Sequence, residues 1–206
     1  MRKLIRSETP DCLKKYRHGL HKWSDVTPPD REIIWRQFEI MQNGFCAYCE
    51  CLLRSKHIEH FKNRDAYPKN TFEWENLFGS CDDRNRCGHY KDSKYVKPYS
   101  VTNILKPDED NVNKYLLFLT NGHVITKLDL TENDKFKAYE TIRVFKLKED
   151  KSNVNRRKKA FKSIECNVKY LYSIYEELEH EDWLILLEDA LDGLNDSVTE
   201  FKTAME

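Results

Sequence analysis

The sequence predicts an α+β protein, with a zinc-stapled ββα core, an added hairpin and flanking α-helices. Three observations indicate this fold class. Two cysteine pairs, Cys46/Cys49 and Cys81/Cys87, enclose a segment of about the size of two short strands, and a further short helix can follow. Asn121-Gly122 stands between two apolar runs, a strong hairpin signal. Apolar residues recur at helical spacing on both sides of these segments.

The composition excludes several classes of protein. Of the 206 residues, 34% are charged, so the chain is strongly polar. Aromatic residues still make up 12%, which argues against disorder. The formal net charge is zero, so any nucleic-acid surface must be local. No apolar run reaches the length of a membrane span, and the start lacks the apolar stretch of a signal peptide. We therefore expect a cytoplasmic protein with no membrane contact, whose seven cysteines are reduced and favour metal binding.

We expect three parts along the chain. Residues 1–44 form an N-terminal helical segment that packs on the core, and residues 45–97 form the ββα-metal core. Residues 98–206 form a hairpin and a helical region that is a candidate for partner binding. We find no internal repeat and no low-complexity tract.

Local signals place the elements of the first half. Pro10 suits the first turn of a helix that runs to Leu20. The segment 27–30 can cap a second helix, which carries an apolar stripe and stops at Asn43-Gly44. Residues 45–58 fit a zinc knuckle and a strand, 63–71 a loop, 73–77 a short helix or turn, and 88–97 another helix.

The second half begins with a connecting loop and the hairpin, whose strands we place at 115–119 and 123–126. Helical patterns follow from Asn133, with a break at 150–153, a helix to about Tyr175 and a last helix from Trp183 to Val198. A basic cluster at 155–159 and an acidic run at 176–182 are expected to be solvated helix faces. The alternatives are phosphate contacts for the first and partner docking for the second.

The cysteine pairs predict a structural zinc site. Zn²⁺ prefers four soft or borderline ligands in a tetrahedron, and the spacing of Cys46 and Cys49 brings two thiolates to one ion. Cys81 and Cys87 have five residues between them, a looser pair. Cys51 or His57 are alternative ligands, and ordinary buried thiols are the simpler interpretation. Four protein ligands would leave no open position for chemistry.

The residues between and after the cysteine pairs suit phosphodiester hydrolysis, which needs a base and a cation. His60 can be the base, because imidazole titrates near neutral pH. Glu59 and His89 can hold one divalent cation, and Asn76 can aim the His60 ring. Adjacent strand residues face opposite ways, so Glu59 and His60 can share a site only where the strand ends or bends.

The stretch from Cys46 to Lys91 resembles the HNH, or ββα-metal, endonuclease family. That family's pattern is C-x-x-C, acid-His, Asn-Leu, then a second cysteine pair followed by His or Asn and a Lys. More narrowly, the chain is similar to the PtuB-like group of retron- and Septu-associated HNH proteins. The matching residues are Ile5-Arg6-Ser7, Phe45-Cys46-Ala47-Tyr48-Cys49-Glu50, Ile58-Glu59-His60-Phe61, Trp74-Glu75-Asn76-Leu77 and Arg86-Cys87-Gly88.

The resemblance implies a nuclease effector of bacterial anti-phage defence. It implies a PtuA-like ATPase as partner, with a retron reverse transcriptase/ncDNA complex as a further candidate. It also implies a catalytic Mg²⁺ or other divalent cation beside the structural Zn²⁺, and a nucleic-acid substrate. Duplex DNA is the family default, and structured RNA such as tRNA is the alternative.

The resemblance also implies residue roles: His60 is the general base, Glu59 and His89 bind the catalytic metal, and Asn76 is the structural asparagine. The family often has His or Asn directly after the last cysteine, whereas this chain has Gly88. The metal-binding role therefore moves to His89, with Asn85 and Asp92 as alternatives. We regard nearby His57 as a surface or structural histidine.

A second hypothesis belongs to another functional class. It is a zinc-stapled nucleic-acid- or protein-binding module without catalysis, in which His60 is only structural. The presence of the acid–histidine pair, the asparagine and the last histidine inside one cysteine frame favours the enzyme, because a binding module needs none of them.

Overall fold

A computed structural model describes residues 1–196 and 200–205. The chain has a mixed α+β architecture with two small sheets, as predicted in outline. Its helices and strands, in chain order, are α1 (Pro28–Gln42), β1 (Lys56–His60), β2 (Leu77–Cys81), α2 (Cys87–Lys91), α3 (Val112–Tyr115), β3 (Leu116–Phe118), β4 (Val124–Thr126), α4 (Glu132–Val144), α5 (Lys151–Ser173), α6 (His180–Asp196) and α7 (Lys202–Met205). Among the described residues, no helix is both long and apolar enough to cross a membrane.

Helix α1 confirms the second predicted helix, including both of its ends. Thr27 caps the N-terminus, where its side chain accepts a hydrogen bond from the Asp30 backbone N–H. At the other end Asn43 and Gly44 take left-handed φ angles of 51° and 75°, which stop the helix. Ile34, Phe38 and Met41 of its apolar stripe are buried, and α1 packs against β2.

The predicted helix from Pro10 to Leu20 is wrong in its extent. Only a 3-10 turn, Asp11–Lys15, forms there. The Asp30 carboxylate accepts hydrogen bonds from Lys15 Nζ at 2.7 Å and from the Tyr16 hydroxyl at 2.5 Å. Tyr16 takes an extended conformation and stacks on Phe72. These long-range contacts outweigh the local helix preference, because propensity is a weak determinant beside tertiary packing.

The first sheet pairs β1 with β2 in antiparallel register, with Glu59 opposite Phe78 and His60 opposite Leu77. All five residues of β2 are buried. On the side of β2 away from β1, the Gln42 side chain takes the place of a neighbouring strand. Its Nε2 donates to the Gly79 carbonyl at 2.9 Å, and the Gly79 N–H donates to its Oε1 at 2.8 Å.

Helix α2 follows β2, so two strands and a helix occur in the predicted order. It ends at Lys91, however, and the prediction that it continues to Lys97 is wrong. The next three side chains, Asp92, Ser93 and Lys94, are polar and none is buried. A helical turn built from these three residues would therefore bury no apolar side chain, and short helices depend on such burial for their stability.

The second sheet is the predicted hairpin, with β3 and β4 paired antiparallel around Asn121-Gly122. Asp150 caps α5 at the predicted break. The last helix begins at His180, and its predicted end, Val198, lies outside the described residues. The acidic run is exposed, as expected, but the basic cluster is not uniformly solvated. Arg157 is buried and donates to the Gly122 and Leu147 carbonyls.

One hydrophobic core joins the whole of this arrangement. It contains residues from each of the three predicted parts, among them Leu4, Phe38, Phe78, Val144 and Phe201. Tyr48 of the knuckle stacks on Phe145, with ring centroids 4.2 Å apart, so the C-terminal part packs directly behind the cysteines. The division into three parts stays a prediction.

Candidate functional site

Four buried cysteines meet at one point of the core. Cys46 and Cys49 come from the knuckle, Cys81 from the end of β2 and Cys87 from the start of α2, and their sulfur atoms all lie within 4.8 Å of one another. The Cys81 sulfur is 3.6 Å from those of Cys46 and Cys49 and 3.4 Å from that of Cys87. Sulfurs about 2.3 Å from a tetrahedral zinc would be about 3.8 Å apart. The cluster can therefore hold a metal such as zinc.

Cys51, an alternative ligand in the sequence, is not part of this group. Its thiol donates a hydrogen bond to Asn153 Oδ1 at 2.8 Å, so its sulfur is directed toward the start of α5. His57 also lies elsewhere, in a second cluster. The buried group therefore consists of the four cysteines that the pair spacing predicted.

The knuckle is held in shape by a buried carboxylate. Glu50 follows Cys49 with a left-handed φ of 62°, and its carboxylate pairs with the Met1 amino group and accepts a hydrogen bond from the Thr203 N–H at 3.1 Å. Burial raises the pKa of Glu50, but the charges of the Met1 amino group and Arg2 outweigh this effect and lower it. The ionised side chain thus joins both described ends of the chain to the knuckle.

A second cluster of possible metal ligands lies at the surface near α2. His57, Asp82 and His89 each offer one donor atom, and these atoms lie within 4.8 Å of one another. His89 Nε2 is 2.7 Å from Asp82 Oδ1, and the rings of His57 and His89 stack with centroids 3.9 Å apart. The hydrogen bond with His89 lowers the pKa of Asp82.

Glu59 adjoins this cluster without being a member of it. Its Oε2 is 3.0 Å from His57 Nε2, so His57 stands between the two residues, Glu59 and His89, that the sequence assigns to one cation. The alternation of strand side chains could have indicated this partnership, because positions 57 and 59 share a face of β1. Asp82 carries no sequence signal of this kind.

Lys91 is the second buried partner of Glu59. Its Nζ lies 2.9 Å from Glu59 Oε1, 3.1 Å from the His60 carbonyl and 2.5 Å from Asp92 Oδ1. Burial raises the pKa of Glu59, but the Lys91 charge and the His57 hydrogen bond outweigh it and lower the pKa. Glu59 is therefore an ionised carboxylate. Asp92, an alternative metal ligand in the sequence, is instead paired with Lys91, and Asn85 lies in an exposed turn.

Gly88 leaves the space that Glu59 occupies. A Cβ atom at position 88 would lie 2.3 Å from Glu59 Oε2 and 2.4 Å from its Cδ, well inside contact distance. A histidine or asparagine directly after Cys87 would therefore displace the buried carboxylate. With Glu59 in this position, glycine is the residue that fits directly after Cys87.

Gly88→Ala tests that close approach. We expect the substitution to lower the free energy of unfolding by about 1–3 kcal/mol, because the extra methyl group must push Glu59 away from Lys91. Chemical denaturation measures the loss. Gly193→Ala in α6 is the matched control: its Cβ would meet no atom within 4 Å, so we expect it to stabilise by about 0.5–1 kcal/mol. Equal stability of Gly88→Ala and the unsubstituted protein would contradict the packing described.

His60 faces the opposite side of β1 from Glu59. Its Nε2 lies 3.0 Å from the Thr71 carbonyl oxygen. Its ring and that of Trp23 form a T-shaped pair with centroids 4.5 Å apart. Because a carbonyl only accepts, Nε2 carries the proton and Nδ1 has the free lone pair. Burial and the positive charge of Arg64 lower the pKa of His60 to about 4, so the imidazole is neutral at neutral pH.

Asn76 fixes the loop between β1 and β2 rather than touching the His60 ring. Its Oδ1 accepts from the Lys62 N–H at 2.7 Å, and its Nδ2 donates to the carbonyls of Lys62 and Asn70. Thr71, the residue that holds His60 Nε2, belongs to the same loop. Asn76 therefore orients His60 through the loop backbone.

An open cavity lies over the His60 side of the sheet. Its volume is about 500 Å³, and it is lined by Trp23 and Thr71, which contact His60, and by Arg64, Lys22 and His21 among others. These cationic and ring side chains can receive a phosphate group. The sequence did not predict the lining of this cavity, because Trp23 and Arg64 come from segments that are far apart in the chain.

Comparison with known proteins gives one partial likeness. Over 67 residues the chain is 39% identical to the Septu protein PtuB of Bacillus thuringiensis. The match covers 31% of this chain and 25% of that protein, so the chain is similar to a quarter of the relative's length. No family model matches the chain.

Proposed function

We propose that this protein is a metal-dependent HNH endonuclease that hydrolyses phosphodiester bonds in nucleic acid. We further propose that it is the nuclease effector of a bacterial anti-phage defence system of the Septu or retron type. The observation that carries the activity is His60, a neutral imidazole whose Nε2 donates to Thr71 and whose Nδ1 is free to accept a proton. The likeness to PtuB supports the Septu assignment.

His60 is the general base of the proposed reaction. Its Nδ1 takes a proton from the attacking water, while the Thr71 carbonyl keeps the ring from turning. A pKa of about 4 makes a weak base in the free protein. A substrate phosphate that pairs with Arg64 cancels the positive charge that lowers this pKa, and adds a negative charge that raises it. Substrate binding thereby raises the pKa of His60, while burial, the larger cause of its low value, continues to act.

Glu59 and His89 are the proposed ligands of the catalytic cation, with His57 and Asp82 as neighbouring donors. When bound, a divalent cation offsets the charge on the scissile phosphate and the leaving oxygen. The donors that converge within 4.8 Å are those of His57, Asp82 and His89, a set that fits such an ion. Glu59 Oε2 is 3.0 Å from His57 Nε2 and Glu59 Oε1 is 2.9 Å from Lys91 Nζ, so Glu59 would join the ion by exchanging one of these partners. Imidazole donors favour Mn²⁺ or Zn²⁺ over Mg²⁺, which prefers oxygen.

The two sides of β1 meet at its carboxyl end. The Glu59 side chain lies on the α2 side of β1. The side chain of His60, the last residue of the strand, lies on the side of the cavity. In the proposed reaction a phosphodiester lies across this end, and both buried side chains become accessible to it. In the same proposal the four cysteines bind a structural Zn²⁺, because a closed set of four thiolates leaves no position for water or substrate.

We propose that an ATPase of the PtuA kind binds the helices α5 and α6. Among the described side chains of α6, up to Gly193, none is buried, although the helix is rich in leucine. An apolar face of this kind is typical of an interaction site. The exposed apolar residues of the two helices are Val168, Leu184, Ile185, Leu186 and Leu191.

Ile185→Asp tests this docking surface. Ile185 is 57% exposed, so the substitution leaves the fold intact and we expect it to abolish co-purification with a PtuA-like ATPase. Leu128→Asp, at an exposed apolar residue outside the two helices, is the matched control and should retain the partner. Full retention by Ile185→Asp would place the ATPase elsewhere.

The nuclease itself is tested by a cleavage assay. Purified protein and His60→Ala, each with the ATPase partner, are given DNA and total RNA with Mg²⁺ or Mn²⁺. Cleavage by the unsubstituted protein alone supports the proposal and identifies the polymer, for which DNA is the first expectation and tRNA the second. A retron reverse transcriptase/ncDNA complex is a further component to add if the two proteins are inactive together.

A second candidate is a zinc-stapled nucleic-acid- or protein-binding module without catalysis. The burial of both Glu59 and His60 favours it, because neither side chain is open to solvent in this structure. Folded, zinc-loaded protein that binds nucleic acid and cleaves neither polymer under any of these conditions would support it.

A further inference from the structure

We propose that a groove between α2 and α4, here called the α2–α4 groove, binds unpaired nucleotides of the strand that the nuclease cleaves. This inference rests on the proposed function and adds a substrate class to it. The groove has a volume of about 720 Å³, within the usual range for ligand sites. Its walls are α2, the segment that follows α2, and α4 with the turn after it.

Three aromatic side chains line the groove and are largely exposed. Tyr95 is 74% exposed, Tyr139 58% and Phe136 52%. A protein core gains nothing from aromatic rings left in water, and here three of them border a single concave surface. Their faces can stack with nucleobases, at about 1–3 kcal/mol per base. Only unpaired bases offer a free face, because those in a duplex are covered by their neighbours.

The charges of the groove suit a phosphate backbone. Four cationic and two anionic side chains line it, in a chain with no net charge. Lys97 and Lys148 are exposed at its edge, and Lys146 Nζ lies 4.8 Å from the ring centre of Tyr90. Of the two acids, Glu140 is neutralised by Arg143, which donates to both of its carboxylate oxygens. The remaining charge is therefore mainly positive, where a polyanion would bind.

The groove adjoins the proposed cation site through one helix. His89 and Tyr90 are consecutive residues of α2, so their side chains leave the helix about 100° apart. His89 contacts Asp82 and His57, whereas Tyr90 lines the groove. A helix is about 10 Å across, a distance that a few nucleotides cover. A strand cleaved beside His89 can thus continue into the groove.

The test measures binding apart from cleavage. Full-length His60→Ala protein, which we expect to bind without cutting, is titrated into fluorescently labelled single-stranded RNA, single-stranded DNA of the same sequence, and the matched duplex. We expect a single strand to bind more tightly than the duplex. Adding Tyr95→Ala and Tyr139→Ala should weaken that binding by at least about tenfold, the value of one lost stacking contact.

The controls separate the groove from general surface effects. Tyr172→Ala removes a tyrosine that is 75% exposed on α5, away from the groove, and should leave the affinity unchanged. Lys97→Ala and Lys148→Ala should each reduce the slope of log affinity against log salt by about 0.7. The RNA and DNA arms then identify which polymer supplies the unpaired nucleotides.

Two results would overturn the inference: unchanged single-strand affinity in the double tyrosine variant, or tighter binding of the duplex. Neither depends on activity. Groove-dependent binding by a protein that never cleaves would reject the nuclease and keep the groove. Cleavage that does not depend on Tyr95 and Tyr139, together with unchanged binding, would keep the nuclease and reject the groove.

Discussion

The His60→Ala protein is expected to cleave nucleic acid about 10²–10⁴-fold more slowly than the unsubstituted protein, the usual contribution of a general base. The substitution removes the Nδ1 atom, whose free lone pair is the proposed proton acceptor. It also leaves the buried Thr71 carbonyl without its ring donor, so we expect a stability loss of about 1–3 kcal/mol. Single-turnover cleavage below the unfolding temperature of the variant separates the two effects.

Rescue by a small molecule distinguishes a catalytic role from a structural one. Added imidazole should restore part of the activity if His60 accepts the proton, and should have no effect on the unfolding temperature. His180→Ala, at an exposed histidine of α6, is the matched control and should cleave normally. Equal cleavage by His60→Ala and the unsubstituted protein would place the base at another residue.

The Cys46→Ser protein is expected to lose zinc and stability together. Binding of a structural metal is part of the folding free energy, and loss of such a site is among the few single changes that cost more than about 4 kcal/mol. Metal analysis of the purified protein and thermal unfolding measure the two quantities. An unchanged zinc content would contradict the four-cysteine site.

Two other cysteines provide controls for that experiment. Cys51→Ser removes a thiol that is close to Cys49 in sequence and in space, but this thiol donates a hydrogen bond to Asn153 and its sulfur is not one of the four that group together. Cys166→Ser removes an exposed thiol of α5. We expect both variants to keep their zinc. Loss of zinc from Cys51→Ser alone would make Cys51 a ligand.

Features that depend on neighbouring residues were the ones predictable from the sequence. Helix α1 carries its cap at Thr27 and its stop at Asn43-Gly44, and the hairpin carries its turn at Asn121-Gly122. The cysteine grouping also followed from spacing, because a short turn can present two sulfurs to one point. For the helix ends, the hairpin turn and each cysteine pair, the deciding interaction lies within a few residues of the signal, whereas the meeting of the two cysteine pairs is a long-range contact.

Features that depend on distant residues were not predictable. The helix predicted from Pro10 is shorter than expected because Asp30, which follows later in the chain, accepts hydrogen bonds from Lys15 and Tyr16. Strand β2 has no alternation of polar and apolar residues, since α1 and the rest of the core bury both of its faces. Lys91 is buried, and its charge is compensated there by an ion pair with Glu59, which joins α2 to β1.

The acid–histidine pair shows most clearly how far the sequence can predict the candidate site. The sequence places Glu59 and His60 side by side, but β1 sends one side chain toward α2 and the other toward Trp23. That both residues act in one site stays a prediction, which depends on the two sides of β1 being within reach of one substrate where the strand ends. His57, which the sequence left as a surface or structural histidine, lies between Glu59 and His89 because it shares their side of the sheet.

The side chain of Gln42 has a consequence for solubility. A two-stranded sheet offers two open edges, and an open edge invites pairing with a strand of another molecule, which is how many aggregates begin. At the centre of β2, both backbone groups of Gly79 already bond to the Gln42 amide, and the Ala47 N–H also donates to the Gly79 carbonyl. A foreign strand finds no free donor or acceptor at this point. One glutamine on a helix thus prevents a foreign strand from pairing with the middle of the β2 edge.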